Sequence, residues 1–390
     1  MKVLMMLRLY SHLEESMRNG RWEPAGMPAV YKLIEGLQTA GLETHVLLLC
    51  RSALRDFEKE REISFPSLPL IHFTVLPYAN KLVHTWRILQ EVRKTHPDII
   101  YCDRAHVQSG ALLSMLGWNV MLRLHGVASL AGERMFKMGF LPSLELLSYK
   151  APFKRVLCSR DGSPGEFFMK RRLRKDVPRE LLFNGVDPSP SQEKEEERVP
   201  LILSVGRLDV DKLPNVLLEA AGILHSRGID FKLLYIGGGP LRRSLEARTA
   251  ELGIRDKVEF AGALPHAEVL QRVVCADILV SLSIFGNNLN NAVLETLRAK
   301  RCIVTFDADK DLGLDLHVLE KEFRETFVLV DRKKLPESLA ETLASLCVDA
   351  DERQRRNERS EALADALLES WEKRIGREID IIRKICGEEK

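Results

Sequence analysis

The sequence predicts an α/β protein made of two doubly wound, parallel-sheet units, and three observations carry that expectation. Short apolar runs alternate with amphipathic stretches through the first half, the pattern of parallel strands joined by crossover helices. A polar stretch from Pro188 to Pro200 then breaks the alternation with Pro, Ser and a Glu/Lys/Arg run too poor in apolar residues to pack. At Leu201 the alternation starts again.

In chain order, Lys2–Leu7 is a buried first strand, because Arg8 ends its apolar run too early for a signal peptide. Thr44–Leu49, Ile71–Leu76, Asp98–Cys102, Asn119–Leu124, Arg155–Cys158 and Glu180–Phe183 follow as short apolar strands. Met27–Ala40, Lys81–Thr95 and Ala105–Leu116 are the clearest amphipathic helices between them. After the polar stretch, Leu201–Val205, Phe231–Ile236, Lys257–Phe260, Asp277–Leu282 and Cys302–Phe306 read as strands. Asn215–Ser226, Leu241–Leu252, His266–Cys275 and Ala292–Lys300 read as the helices that connect them, and a charged helical region runs from about Asp351 to Cys386. The expected division is a first domain at 1–187, a linker at 188–200, a second domain at 201–370 and a last helix at 371–390.

Composition narrows the function. With 58 Lys plus Arg against 56 Asp plus Glu, the net charge of +2 argues against a general nucleic-acid binder. Apolar residues at 45% and charged residues at 29% fit a soluble globular enzyme. The seven cysteines are odd in number, widely spaced and free of any Cys-x-x-Cys, so neither a disulfide framework nor a structural zinc site is expected. The expected location is a reducing cytoplasm. Val107–Leu122 carries Gln108, two serines and Asn119 and falls short of the ~20 apolar residues of a membrane span, so any membrane contact is peripheral, at the inner face. The basic run Lys170–Lys175 and the apolar segment Met135–Leu147 are the candidates for such contact; a solvated face and core packing are their plainer readings.

Two constellations point to chemistry. Val205-Gly206-Arg207 runs from an apolar strand, which puts Arg207 at the strand's carboxyl end, where ligands bind in open α/β sheets. Lys212 follows just before a helix, and two cations beside a helix N-terminus suit a diphosphate; the alternative is a solvated turn. The second is Asn287-Asn288-Leu289-Asn290-Asn291 with Glu295, again after a strand and opening a helix. The amides of Asn291 to Val293 suit a phosphate oxygen and Glu295 a ribose diol; the alternative is a plain N-cap with an acidic first turn. Gly237-Gly238-Gly239-Pro240 reads as a tight turn. His125, followed by Gly126 at the end of the strand Asn119–Leu124, is either a ligand contact or a structural histidine. Gly26 either lets backbone approach a ligand or forms a helix-entry turn. No set of metal-ligand spacing is present.

In this order, with Asn184-Gly185-Val186-Asp187, Ala261–His266 and Trp371-Glu372-Lys373-Arg374 in their places, these residues resemble a GT-B glycosyltransferase, specifically the large retaining group 1 family (family 4). The resemblance spans nearly the whole chain. It implies two Rossmann-like domains facing each other across a cleft, the last helix crossing back onto the first. It also implies transfer of a hexose-type sugar, with retention, from a nucleotide-sugar donor such as a UDP- or GDP-sugar to a glycan, glycolipid or small-molecule acceptor, with no metal or other cofactor. By the same resemblance Arg207 and Lys212 hold the donor diphosphate and neutralise the leaving nucleotide, Glu295 binds the ribose hydroxyls, and His125 contacts the transferred sugar. Asn290 and Asn291 lie where the family's amides meet phosphate and sugar. The chain departs from the family in having Asn287 where the first of two signature glutamates stands, Leu213 where a glycine follows the lysine, and only Gly26 of a Gly-Gly loop. A catalytically silent scaffold is the alternative function. A GT-B sugar epimerase would need further carboxylates that the sequence does not present.

Overall fold

The computed structural model describes residues 1–9, 13–24, 27–50, 57–77, 79–127, 140–163, 165–190, 199–284, 289–306 and 321–387, with the backbone alone at 140–143. The chain divides into two compact units. Met1–Ser159, Gly165–Gly185 and Trp371–Lys390 make the first, and Arg160–Pro164 with Val186–Ser370 make the second.

Unit 1 opens with β1 (Lys2–Arg8), α1 (Leu13–Asn19), α2 (Pro28–Thr39), β2 (Glu43–Leu49), β3 (Arg61–Ser64) and β4 (Ile71–Leu76). It continues with α3 (Lys81–Thr95), β5 (Ile99–Asp103), α4 (Val107–Met115), β6 (Val120–Leu124), α5 (Phe140–Ser148), β7 (Arg155–Ser159), α6 (Gly165–Arg172) and β8 (Arg179–Leu182). The sheet order is β3-β4-β2-β1-β5-β6-β7-β8, parallel except for β3. Helices cover both faces, which is why β1 is apolar from Val3 to Leu7: Val3, Met5 and Leu7 enter one core, Leu4 and Met6 the other.

Unit 2 runs β9 (Leu201–Val205), α7 (Pro214–Ser226), β10 (Lys232–Ile236), α8 (Arg242–Glu251), β11 (Val258–Gly262), α9 (His266–Cys275) and β12 (Ile278–Val280). Then come α10 (Asn291–Arg298), β13 (Cys302–Phe306), α11 (Lys321–Thr326), β14 (Val328–Val330), α12 (Glu337–Val348) and α13 (Ala350–Leu367). Its sheet, β11-β10-β9-β12-β13-β14, grows first to one side of β9 and then to the other. The switch point therefore lies between β9 and β12, and the crevice at their carboxyl ends is where such sheets take ligands.

Two differences from the sequence expectation have physical reasons. β3 is a charged edge strand and β14 has three residues, too little apolar pattern for either to stand out. The charged region from Asp351 is two helices. α13 ends at Leu367, where Arg298 donates to the carbonyls of Ala364 (3.3 Å) and Leu368 (2.6 Å), satisfying groups that a helix end leaves open. The next helix, α14 (Trp371–Ile385), belongs to unit 1, where Trp371, Ile375, Ile379 and Ile382 form one apolar stripe in the core. The boundary falls at Gly185/Val186, and residues 188–190 and 199–200 belong to unit 2; 191–198 lie outside the described residues.

Arg374 and Glu378 occupy the neighbouring stripe of α14 and are buried. Glu378 Oε1 accepts from the Tyr101 hydroxyl (3.0 Å) and lies 3.3 Å from Arg123 Nε; its Oε2 pairs with Arg374 Nη1 (2.8 Å). Burial alone would raise the Glu378 carboxyl, but the two guanidiniums hold it below the usual carboxylate range. Arg123 also donates to Leu124 O and Ser159 Oγ, and Arg374 to Phe183 O. This ionic knot ties the last helix to β5 and β6 of the same unit.

Candidate donor site at the unit 2 switch point

The loop after β9 is held by the two loops beside it. Gly206 N donates to Ile236 O (2.9 Å), Leu208 N to Gly238 O (2.9 Å), Leu241 N to Leu208 O (3.0 Å) and Gly237 N to Gly262 O (2.7 Å). Gly237 has φ +129°, and a Cβ there would lie 2.0 Å from Gly206 O; at Gly239 it would lie 2.3 Å from Leu208 O. The tight turn expected at Gly237–Pro240 is thus also a buttress, whose bare backbone lets the cation-bearing loop pack directly on it.

Arg207 is 75% exposed, with Nη2 2.9 Å from Asp209 Oδ2. Asp209 in turn caps the 3-10 turn Val210–Lys212 by accepting from Asp211 N (3.2 Å). Lys212 is half-buried; burial lowers its ammonium pKa, Arg207 adds to that, and Asp209, Asp211 and Asp161 oppose it. The two cations therefore sit on one short loop with carboxylates that orient them. Leu213 has φ +51° and caps α7 without a side-chain bond. That left-handed conformation costs a side chain about 1 kcal/mol and is the physical reason a glycine suits this position. Packing of Leu213 on the unit 2 core offsets it.

The loop after β12 is tied to the same surroundings: Ile284 N donates to Asp211 O (3.0 Å) and Leu289 N to Asp161 O (2.9 Å). Asn287 lies outside the described residues. Asn290 is a correction to the sequence expectation of bare amides through Val293. Its Oδ1 accepts from Val293 N (3.0 Å), so both that side chain and that amide are engaged in capping α10. Asn291 is the first residue of α10. Glu295 is 6% exposed, and His266 Nε2 lies 2.8 Å from its Oε1. Asp209 and His266 were visible in the sequence only as parts of motifs; Asp209 pairs with Arg207 within one loop, and His266 meets Glu295 across 29 residues.

In unit 1, β6 ends at Leu124, so His125 stands at the carboxyl end of the sheet. Burial, reinforced by the Arg123 guanidinium and opposed by Asp103, pushes its imidazole down to about 3. His125 is neutral near pH 7, suited to hydrogen bonding and not to carrying charge. Gly26 lies outside the described residues.

Residues 186–362 match the family model described as Glycosyl transferases group 1. Sucrose-phosphate synthase from Thermosynechococcus elongatus aligns over 100% of both chains with a TM-score of 0.73 and 18% identity. HepE from Anabaena, solved in complex with UDP and glucose, aligns over 98% of this chain and 99% of its own with a TM-score of 0.68 and 14% identity. The fold is GT-B. Alpha-D-kanosaminyltransferase of Streptomyces kanamyceticus is 28% identical over 222 residues, which are 54% of this chain and 55% of that protein, so the chain spans about half the length of this relative.

Proposed function

We propose that this chain transfers a hexose-type sugar from a nucleoside-diphosphate sugar to an acceptor hydroxyl, with retention of configuration and without a divalent metal. The observation that carries the proposal is the buttressed loop with Arg207 and Lys212 at the switch point of a domain matching Glycosyl transferases group 1. Charge develops on the diphosphate as the glycosidic bond breaks, and preorganised cations stabilise it there. Arg207 and Lys212 fill that role. Glu295, oriented by His266, takes the ribose hydroxyls. Asn291 offers its first-turn amide to phosphate or sugar, while Asn290 holds the turn that presents it. Asn287 contacts the donor sugar through its amide, bringing no negative charge. On the acceptor side, neutral His125 hydrogen-bonds the transferred sugar and the loop at Gly26 admits backbone to the ligand. The complex of HepE with UDP and glucose supports a nucleotide-sugar donor, and the name of the Streptomyces relative supports transfer of a sugar.

The test is turnover of UDP-, GDP- and ADP-sugars with small-molecule, glycan and glycolipid acceptors. Transfer should give a product whose anomeric proton coupling matches that of the donor, at a rate unchanged by EDTA. Absence of turnover across the panel, an inverted product, or loss of rate in EDTA would each contradict the corresponding part of the proposal.

A further inference from the structure

Four of the exposed apolar side chains of unit 1 lie where its helices turn into β6 and β7. Met115 and Leu116, at the end of α4, are 64% and 59% exposed; Leu144 and Leu147 on α5 are 43% and 66% exposed. Met115, Leu144 and Leu147 line a groove of about 520 Å³ together with Lys150, Pro152 and Arg174, and Leu116 follows Met115 directly in the chain. Met115, Leu147 and Arg174 each lie shortly before the start of β6, β7 or β8, so this face is at the amino edge of the sheet, away from His125 at the carboxyl edge.

The surround is basic. α6 ends in Lys170, Arg171 and Arg172, the chain goes on through Arg174 and Lys175, and Lys150 Nζ reaches the carbonyls of Arg171 (3.4 Å) and Leu173 (3.2 Å), joining the two segments. Six cations stand against Glu145, Glu166 and Asp176. Glu166 pairs with Lys170, Asp176 with Arg174, and Arg171 lies over the Phe167 ring. An apolar patch alone fits many partners, and a basic run alone is a solvated face. Together they match a surface that is apolar inside and anionic outside.

We propose that this face docks on an anionic lipid bilayer, with Met115, Leu116, Leu144 and Leu147 entering the headgroup boundary and the 170–175 segment and Lys150 meeting lipid phosphates. The attachment is peripheral, since no helix among the described residues is long and apolar enough to cross a membrane. Self-pairing is disfavoured because a two-fold contact would set one basic rim against its copy.

The test is co-sedimentation of the full chain with vesicles of equal parts phosphatidylglycerol and phosphatidylcholine, and of phosphatidylcholine alone. Binding to the anionic vesicles should be about tenfold or more stronger and should fall with added salt. L144E/L147E and R171E/K175E should each lower it about tenfold, with unchanged melting because these sites are exposed. No binding to anionic vesicles at low salt, or full binding by both variants, overturns the proposal. A lipid-free dimer that L144E/L147E dissociates would instead assign the face to a second copy.

Discussion

Gly237→Ala should weaken nucleoside-diphosphate binding about a hundredfold and destabilise unit 2 by about 3 kcal/mol. Position 237 carries φ +129°, which side chains avoid, and the new Cβ would lie 2.0 Å from Gly206 O. That oxygen belongs to the peptide entering Arg207, and the two loops are hydrogen-bonded to each other, so relieving the clash disturbs the loop that sets both cations. A displacement of about 1 Å is enough to spoil charge-assisted contacts that contribute about 1.5–3 kcal/mol each. Gly238→Ala is the control, because a Cβ there meets nothing within 4 Å. Calorimetric titration and thermal melting of both variants check the prediction; equal behaviour would mean that the buttress does not set the loop.

Glu378→Ala should cost unit 1 about 3–5 kcal/mol, lowering its melting temperature on the order of 10 °C. The carboxylate removed is the shared partner of Arg123 and Arg374, both nearly inaccessible to solvent. Two buried guanidiniums would remain without their carboxylate, and no ordinary shift of an arginine pKa relieves that. Because Arg123 is on the strand that ends beside His125, loosening the knot reaches the proposed acceptor side as well as α14. Replacing Arg123, Arg374 and Glu378 together by Met, Leu and Met should recover most of the loss, since the penalty comes from unmatched charge. Melting curves of the single and triple variants decide; a single-variant shift under about 3 °C would show that the knot is not a major support.

Much of this architecture was legible because it is written locally. Apolar runs such as Val3–Leu7 and Leu201–Leu203 mark strands covered on both faces, and the restart at Leu201 marks a second sheet. Arg207 and Lys212 were legible as a pair because both sit on one short connection directly after a strand. What was hidden depends on residues far apart in sequence. The role of Gly237 and Gly239 appears only when the loop after β9 lies on them. His266 finds Glu295 across 29 residues, and Glu378 finds Tyr101 across 277. Asn290 shows the reverse limit: its capping chemistry was readable, but the choice between capping the helix and presenting bare amides needed the bond to Val293.

The central claim is that the loop bearing Arg207 and Lys212 holds a diphosphate, and calorimetric titration of UDP, GDP and their parent nucleosides tests it most directly. The intact chain should bind one diphosphate at least tenfold more tightly than its nucleoside, and Lys212→Ala should remove about 10- to 100-fold of that affinity while leaving nucleoside binding unchanged. Equal binding of nucleoside and diphosphate by the intact chain, or undiminished diphosphate binding by Lys212→Ala, would contradict it.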